Sequence, residues 1–328
     1  MSNNSKLKRP RTTTERENEI NKDYFQGYND TKVHRLMLGD QSRLEAYSNA
    51  IMSNKKMFQN KVVMDVGSGT GILALLAARA GASKVYAVEA SDMALTIRLT
   101  ARENGFGEVI QVIHNEVEKV ELTEKVDIIV SEWMAIFLVQ EGMLPSVLFA
   151  RDHFLKKDVG MMFPSIGRLY VQPADLSTDR MKELNFWNDI FGFSFGSLKQ
   201  RNYESMMSGP KRLTLKQENM CGEPVLIWNF DVLTISSSEL VKVEKEDVIF
   251  HCNRQFSDLC FWFETEFPGG IILSTSPTMP PTHWQQGVVH LESKMGPSEG
   301  TFDTPMLRVT MEQSEESERF YIIGVEAA

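Results

Sequence analysis

Cysteine is scarce in this 328-residue chain, which contains only Cys221, Cys252 and Cys260. The spacing of these residues fits no common zinc pattern, and an odd number of cysteines is poor support for a disulfide framework. We therefore expect no metal site and a protein that works in a reducing compartment.

Long apolar runs are also lacking. No run approaches the roughly 20 residues that a helix needs to span a bilayer, and the N-terminal residues carry no hydrophobic signal core. We expect no membrane association and a cytoplasmic location. Residues 1–20 are polar and predict a disordered tail. Their basic residues fit either a nuclear address or an ordinary solvated tail; they are Lys6, Lys8, Arg9 and Arg11.

Positive charge is not in excess either. The chain has 35 Lys and Arg residues against 44 Asp and Glu residues, a net charge of −9. This balance favours basic partners and disfavours nonspecific binding to nucleic acids, so we expect no direct nucleic-acid partner. The apolar fraction of 42% is ordinary for a globular protein, and the length suits one large domain or two smaller ones.

The segment 21–163 alternates predicted strands with predicted helices. Strands are expected at 62–66, 85–88, 110–113 and 126–130, and helices at 72–80 and 92–104. Alternation at this spacing predicts an α/β fold with a doubly wound, Rossmann-like parallel sheet.

The pattern changes after Pro164. Six short apolar segments, bounded by turn residues, predict a mostly antiparallel β domain over 164–328, either a barrel or a sandwich. These segments are 169–171, 225–228, 248–250, 261–263, 287–290 and 321–324. A segment rich in Phe and Trp, about 176–207, interrupts the strands and is predicted to be helical.

A glycine-rich loop, Val66-Gly-Ser-Gly-Thr-Gly71, follows the first strand and opens the first helix. Glycines there allow a sharp turn and close approach of a ligand to the backbone. Glu89 ends the second strand, where a carboxylate can accept hydrogen bonds from ribose hydroxyls, and Glu118 follows the third strand, near an adenine edge. The Gly-x-Gly-x-Gly spacing favours S-adenosyl-L-methionine over NAD as cofactor, with a nicotinamide-dependent oxidoreductase as an alternative.

Two glutamates, Glu132 and Glu141, lie nine residues apart after the fourth predicted strand. Glu132 directly follows that strand region, and Glu141 opens an apolar helical pattern. Paired carboxylates at the end of a strand are suited to hold a cation. A guanidinium fits best, because its planar fork matches carboxylate geometry bidentately.

With these motifs in view, the sequence resembles the protein arginine N-methyltransferases from about residue 21 onward. The resemblance depends on four motifs in order: Tyr24-Phe-Gln-Gly-Tyr28, the segment 62–71, the glutamate pair, and Thr282-His-Trp-Gln285. It implies a Rossmann-like methyltransferase domain over 21–163. It also implies a β-barrel substrate domain over 164–328, with a helical dimerisation arm at about 176–207.

The resemblance further implies roles for individual residues. Cofactor-binding roles are implied for His34, Arg43, Asp65, Gly67, Glu89 and Glu118. Arg43 would pair with the cofactor carboxylate. Catalytic roles are implied for Glu132 and Glu141, which would hold the substrate arginine, and for His283 with Asp40. Two roles stay open for the last pair: a proton relay, or a structural tie between the N-terminal helix and the barrel.

Partners and product follow from the same resemblance. It implies a homodimer and protein substrates that are rich in Arg and Gly. Met37 and the Thr-His-Trp form are similar to those of type I members, which make monomethyl and asymmetric dimethylarginine.

Ala135 and Ile136 depart from the family, which has Gly-Tyr there. This departure motivates a second hypothesis, a catalytically weak paralogue that acts as a regulatory dimerisation partner.

Overall fold

The computed structural model of the chain describes residues 20, 26–28, 30–297 and 305–327. Apart from its last position, the predicted disordered tail, 1–20, lies outside the described residues. Positions 24 and 25 of the predicted N-terminal helix also lie outside them. Within the described ranges, no helix combines the length and the apolar character needed to cross a membrane.

Between residues 30 and 61, three helices precede the first sheet, and an aspartate begins each of the first two. They are α1 (Thr31–Gly39), α2 (Gln41–Ser53) and α3 (Lys55–Phe58). The Asp30 side chain accepts a hydrogen bond from the Lys32 backbone N–H, and Asp40 accepts one from the Arg43 N–H. Side-chain oxygens at this position satisfy N–H groups that the first helical turn leaves free.

A five-stranded parallel sheet forms the first half of the fold. Its strands are β1 (Val62–Val66), β2 (Lys84–Glu89), β3 (Ile110–His114), β4 (Ile128–Ser131) and β5 (Met161–Phe163). Their order is β3-β2-β1-β4-β5. The connecting helices are α4 (Ile72–Arg79), α5 (Met93–Glu103) and α6 (Leu144–Phe154). β1, β2 and β4 are almost wholly buried and apolar, as strands covered on both faces must be. The predicted Rossmann-like fold is confirmed.

The second half is antiparallel and barrel-like, as predicted. Its strands are β6 (Ile166–Ala174), β7 (Lys211–Leu213), β8 (Val225–Asp231), β9 (Lys242–Ile249), β10 (Phe256–Glu266), β11 (Ile272–Ser274), β12 (Gln286–Met295), β13 (Met306–Ser314) and β14 (Ser317–Ala327). Six strands form one sheet, in the order β7-β12-β10-β6-β8 with β11 paired to β10. The other three form a sheet in the order β14-β13-β9.

The two halves share a hydrophobic core. Tyr47 of α2 packs edge-on against Phe267, with ring centroids 4.8 Å apart, and Phe58 packs similarly against Phe163 at 5.0 Å. All four rings are buried. Aromatic pairs in this geometry stabilise a core beyond their buried area. The Tyr47–Phe267 pair therefore fixes α2 against the antiparallel half, whereas the Phe58–Phe163 pair fixes α3 against β5 of the parallel sheet.

A helical arm is inserted between β6 and β7. It consists of α7 (Ser177–Asn185), a 3-10 turn (Phe186–Asn188) and α8 (Gly196–Met207). Phe186, Phe191 and Phe193 are exposed, Phe191 to 98%. Exposed aromatic residues in one segment are typical of an interaction surface rather than of a core.

The base of the arm is held by a buried carboxylate. Asp258 of β10 accepts a hydrogen bond from the Leu176 N–H at 2.7 Å and forms an ion pair with Arg180 of α7. The ring nitrogen Nδ1 of His290, on β12, lies 2.5 Å from the same carboxylate. The arm thus joins the barrel through a group that has no contact with solvent.

Candidate active site

The glycine loop has a backbone that requires glycine. Gly67, Gly69 and Gly71 have φ angles of 69°, 54° and 80°, in the left-handed region. A Cβ atom on Gly67 would lie 2.2 Å from the terminal Cε of Met143. The loop therefore turns sharply at the carboxyl end of β1 and leaves open space above it.

That space is a cavity that opens to solvent; its empty volume, with the part open to solvent included, is about 1000 Å³. The sequence-predicted residues that line it are Arg43, Gly67, Glu89, Glu118 and Glu132. Met37, Tyr28, Met143 and Arg319 also line it.

Glu89 ends β2, and Glu118 lies in the 3-10 turn (Val117–Lys119) that follows the neighbouring strand β3. The Glu89 carboxylate is buried and accepts hydrogen bonds from two backbone N–H groups, Gly69 at 2.7 Å and Ser91 at 2.8 Å. Glu118 is exposed and accepts a hydrogen bond from the Ser146 hydroxyl at 2.6 Å. Both residues line the cavity, where hydroxyl or amino groups of a ligand could reach their carboxylates.

Asp65 is fully buried beneath the loop and does not line the cavity. Its Oδ2 accepts a hydrogen bond from the Ala74 N–H at 3.0 Å, while Oδ1 has no partner among the described residues. Burial raises the pKa of Asp65 to about 7, although hydrogen bonds from Ser68 and Ala74 oppose that shift. Asp65 therefore acts on the site through the first turns of α4.

His34 is buried on α1 and is not in the cavity wall. Its Nε2 lies 2.6 Å from the backbone oxygen of Tyr28. Its Cε1 would lie 3.8 Å from a Cβ atom built on Gly69, an ordinary packing distance. His34 therefore joins the N-terminal segment to the glycine loop.

Glu132 directly follows β4 and forms an ion pair with Arg43, with 3.1 Å between Oε2 and Nη1. The side chains are only 15% and 6% exposed. Burial raises the pKa of Glu132; the charge of Arg43 opposes that shift, and the charge of Glu141 adds to it. The second oxygen, Oε1, is buried without a partner in the described part of the chain. It can therefore accept a hydrogen bond from a cationic guest.

Glu141 has a left-handed backbone, with φ of 78°. The interpretation of Glu141 as the start of a helical pattern is wrong, since α6 begins at Leu144. Its Oε2 lies 3.4 Å from the Tyr28 hydroxyl. Burial raises the pKa of Glu141, against the charge of Arg212 and the hydrogen bond from Tyr28. The structure thus places both glutamates as partly buried carboxylates that interact electrostatically.

His283 and Asp40 are in direct contact. Asp40 Oδ2 lies 2.7 Å from His283 Nδ1 and 2.8 Å from the His283 backbone nitrogen. Burial acts to raise the pKa of Asp40, but the hydrogen bonds from His283 and Arg43 outweigh it and lower that pKa. Charge on His283 lowers the pKa of both Glu132 and Glu141, so the histidine lies near the glutamate pair.

The segment between the glutamates forms a closed turn. Ala135 and Leu138 exchange two backbone hydrogen bonds, at 3.0 and 2.9 Å. The left-handed residues are Phe137 and Leu138, with φ of 56° and 72°, so Ala135 stands where a side chain is tolerated. The indole of Trp284 donates to the Met134 oxygen at 3.0 Å and fastens this turn to the His283 loop.

Sequence reasoning missed three residues that position the site. The Tyr47 hydroxyl donates to the Ser131 oxygen at 2.8 Å, next to Glu132. Met143 covers Gly67, and Arg319 contacts the backbone of Glu141. Met143 is close to Glu141 in sequence and could have been considered. No motif marks Arg319, which is 178 residues away from its partner.

Comparison with known proteins gives two matching family models. The model described as the arginine methyltransferase oligomerization subdomain matches residues 165–326. The model described as ribosomal protein L11 methyltransferase matches residues 44–148. The first model covers the antiparallel sheets with the arm, and the second covers most of the parallel sheet.

Similar proteins and structures cover nearly the whole chain. A probable protein arginine N-methyltransferase 6.1 of Oryza sativa subsp. indica is 34% identical, over 92% of this chain and 87% of its own. Protein arginine N-methyltransferase 2 of Homo sapiens is 37% identical, over 80% and 63%. The Trypanosoma brucei PRMT1 enzyme-prozyme heterotetrameric complex with AdoHcy is 32% identical, over 92% of this chain and 94% of that chain, with a TM-score of 0.80.

A second solved structure, Arabidopsis thaliana protein arginine methyltransferase 10, is 31% identical with a TM-score of 0.79 and covers 92% of this chain and 94% of its own. The likeness therefore extends through both halves of the fold, and it includes the segments that carry the cavity and the glutamate pair. By sequence and by structure, the chain belongs to the protein arginine N-methyltransferase family.

Proposed function

We propose that this protein transfers methyl groups from S-adenosyl-L-methionine to guanidinium nitrogens of arginine residues in proteins. The observation that carries the proposal is the pair of partly buried glutamates, Glu132 and Glu141. Glu132 lines the cavity above the glycine loop, and its charge interacts with that of Glu141. A site for two reactants at one cavity is the arrangement that a group transfer needs.

The cavity residues fit an adenosine-containing cofactor. Gly67 lets the Met143 side chain pack directly on the loop backbone at the cavity wall, and Glu89 presents a fixed carboxylate for ribose hydroxyls. Glu118 would lie at the adenine, and Arg43 would meet the cofactor carboxylate while it keeps Glu132 in place. When bound, S-adenosyl-L-methionine supplies an electrophilic methyl group. Asp65 and His34 support the loop from behind rather than from the cavity wall.

Glu132 and Glu141 would bind the substrate guanidinium and localise its charge. Arginine is a poor nucleophile because its pKa exceeds about 12 and its lone pairs are delocalised. Two carboxylates attract positive charge toward the nitrogens they bind, and they aim the remaining nitrogen at the methyl carbon. Methyl transfer would form a nitrogen–carbon bond as the carbon–sulfur bond breaks and S-adenosyl-L-homocysteine leaves, and the proton from that nitrogen would pass to a base, for which His283 is the candidate. Positioning of two reactants can lower a barrier by about 7–11 kcal/mol.

His283 has two candidate roles. Because Nδ1 binds Asp40, the ring has Nε2 left for accepting a proton, as a relay requires. The same contact also ties the junction of α1 and α2 to the loop before β12, which is a structural role. Replacement of His283 by Gln, which can still hydrogen-bond Asp40, separates the two. If His283 is a proton relay, the Gln variant should lose the pH dependence of kcat. If His283 has only the structural role, the Gln variant should retain activity.

The product is proposed to be monomethyl and asymmetric dimethylarginine. Met37 lines the cavity, and Thr282-His283-Trp284 forms the loop beside the glutamates, as in the type I pattern. Substrates are proposed to be Arg- and Gly-rich proteins, since the two carboxylates bind a guanidinium and the chain carries a net charge of −9. Mass spectrometry of a methylated peptide tests the product type. The mass shift gives the number of methyl groups, and the fragment losses distinguish symmetric from asymmetric products.

The arm is proposed to form a homodimer. It lies in the segment matched by the oligomerization subdomain, and its exposed Phe186, Phe191 and Phe193 need a covering surface. Replacement of Phe191 by Ser should shift sedimentation toward the monomer. Phe320 on β14 is also exposed, and its replacement by Ser serves as the control.

A test of the main proposal uses the wild-type protein, S-adenosyl-L-methionine and an Arg/Gly-rich peptide. Methylated arginine is expected with the wild type and is expected to be absent with Glu132→Gln. Glu45→Gln, an exposed glutamate on α2, is the matched control and should keep full activity. Full activity of Glu132→Gln would refute the role given to the glutamate.

The regulatory-partner hypothesis predicts cofactor binding without transfer to any arginine peptide. Its motivation is the Ala135-Ile136 departure, but the turn at Ala135 is closed by two hydrogen bonds and both glutamates are in place. The oxidoreductase alternative predicts that calorimetry detects binding of NAD rather than of S-adenosyl-L-methionine. The oxidoreductase alternative leaves the partly buried glutamate pair unexplained.

A further inference from the structure

The β13–β14 hairpin reaches from the antiparallel part of the fold to the second glutamate. The Glu141 N–H donates to the backbone oxygen of Arg319 at 2.8 Å. The Arg319 guanidinium donates through Nη1 to the Glu141 backbone oxygen at 2.5 Å. Both polar groups of the Glu141 backbone are therefore held by one residue of the hairpin.

The fit between the hairpin and the glutamate loop is close. Gly142 has φ of 65°, and a Cβ atom there would lie 3.1 Å from the Cα atom of Arg319 and 3.2 Å from the backbone oxygen of Glu318. Glu141 itself has φ of 78°, which is uncommon for a residue with a side chain. Such a conformation persists only where surrounding contacts determine it, and here the hairpin provides them.

Arg319 also faces the other reactant, since it lines the cavity above the glycine loop. It therefore stands between the proposed cofactor site and the proposed arginine site. Its positive charge further helps to keep Glu141 ionised by opposing the effect of burial on the pKa of that carboxyl.

We propose that Arg319 is a positioning residue for methyl transfer, which fixes the backbone of Glu141 so that its carboxylate meets the substrate guanidinium beside the cofactor. This inference rests on the proposed function. It assigns to the hairpin a part in the reaction that no sequence motif indicates. Arg319 acts through Glu141 and need not touch the substrate.

The test compares Arg319→Ala and Arg319→Lys with Arg308→Ala. Arg308 lies on the same hairpin, but its half-exposed side chain pairs with Glu244 and Glu246. In Arg319→Ala, we expect kcat/KM for an arginine peptide to fall about tenfold or more, chiefly through KM, as expected for loss of a charged hydrogen bond. Arg319→Lys can still donate to the Glu141 oxygen and should recover part of that loss. Arg308→Ala should match the wild type.

A second measurement does not depend on activity. Hydrogen–deuterium exchange of the segment 137–144 should be faster in Arg319→Ala than in the wild type and unchanged in Arg308→Ala. If the wild type methylates no arginine peptide, the proposed function fails, and exchange alone decides the positioning role. Wild-type kcat/KM in an active Arg319→Ala protein, unchanged exchange, or an equal effect of Arg308→Ala would overturn the inference.

Discussion

Asp40 Oδ2 accepts two hydrogen bonds from His283, one from the backbone nitrogen at 2.8 Å and one from ring Nδ1 at 2.7 Å. Its other oxygen accepts from the Arg43 N–H at 3.0 Å and begins α2. One carboxylate therefore positions a residue of the cofactor cavity and a residue beside the glutamate pair.

Replacement of Asp40 by Asn should destabilise the fold by about 1.5–3 kcal/mol, the range for a hydrogen bond to a charged group. The pKa of Asp40 is lowered in the folded protein, so its contribution is fully present above the unfolded pKa of about 3.8 and is lost as pH falls through the lower folded pKa. Urea unfolding at pH 7 and pH 3 checks this. The difference between variant and wild type should be smaller at pH 3 than at pH 7; equal differences at both would contradict the assignment.

Asp65 should give the opposite pH dependence. Its folded pKa is raised to about 7 from 3.8, so the folded protein keeps a proton that the unfolded chain releases. Stability should therefore fall as pH rises from about 4 to about 7, by up to about 4 kcal/mol from this group. Asp65→Asn should remove that slope, whereas Asp152→Asn, at an exposed carboxylate, should leave it intact. Urea unfolding at several pH values measures the slope, and an unchanged slope in Asp65→Asn counts against the raised pKa.

Gly67→Ala should weaken binding of S-adenosylhomocysteine about tenfold or more. The new Cβ atom would need a left-handed backbone and would meet Met143 at the cavity wall. Gly105→Ala is the control, because Gly105 has φ of 78° but no atom within 4 Å of a Cβ atom. It carries the same backbone strain away from the cavity, so it should lower stability by about 1 kcal/mol without affecting the ligand Kd. Calorimetry distinguishes the two, and equal affinities would show that the loop tolerates a side chain.

Asp258→Asn should loosen the arm. The substitution leaves Arg180 half-paired in a buried setting, and loss of one partner of a buried pair costs about 3–5 kcal/mol. We expect a lower unfolding midpoint and a weaker dimer by sedimentation at equal protein concentration. Glu183→Gln, an exposed position on the same helix, should change neither. A variant dimer as tight as that of the wild type would mean that the arm is oriented by other contacts.

Much of the fold could be predicted because its strands are long enough to show their pattern. The strand predicted at 62–66 matches β1, and those at 85–88 and 110–113 lie within β2 and β3, since these strands are mostly apolar. β5, β7 and β11 were not predicted, because three residues are too few to show a period. β13 was missed although its alternation of Leu307, Val309 and Met311 with Arg308, Thr310 and Glu312 is the period of a half-buried strand.

The candidate site was predictable only where residue type carries the chemistry. Glu89, Glu132 and Glu141 could be singled out because carboxylates after strands are chemically informative. The left-handed backbone of Glu141 could not be predicted, because its contacts are with Arg319, which is 178 positions away in the sequence. The ion pair of Arg43 with Glu132 was also not foreseen, because each had been assigned to a different reactant.

The two glutamates are anchored from different parts of the chain. Arg43 and Tyr47, from α2, brace the Glu132 side, whereas the β13–β14 hairpin braces Glu141. A chimera that joins residues 30–163 to the barrel of a relative would keep the glycine loop intact, yet it would inherit a foreign support for Glu141. Domain exchange within the family should therefore alter the affinity for arginine peptides before it alters the affinity for cofactor, and the hairpin is the segment to carry along.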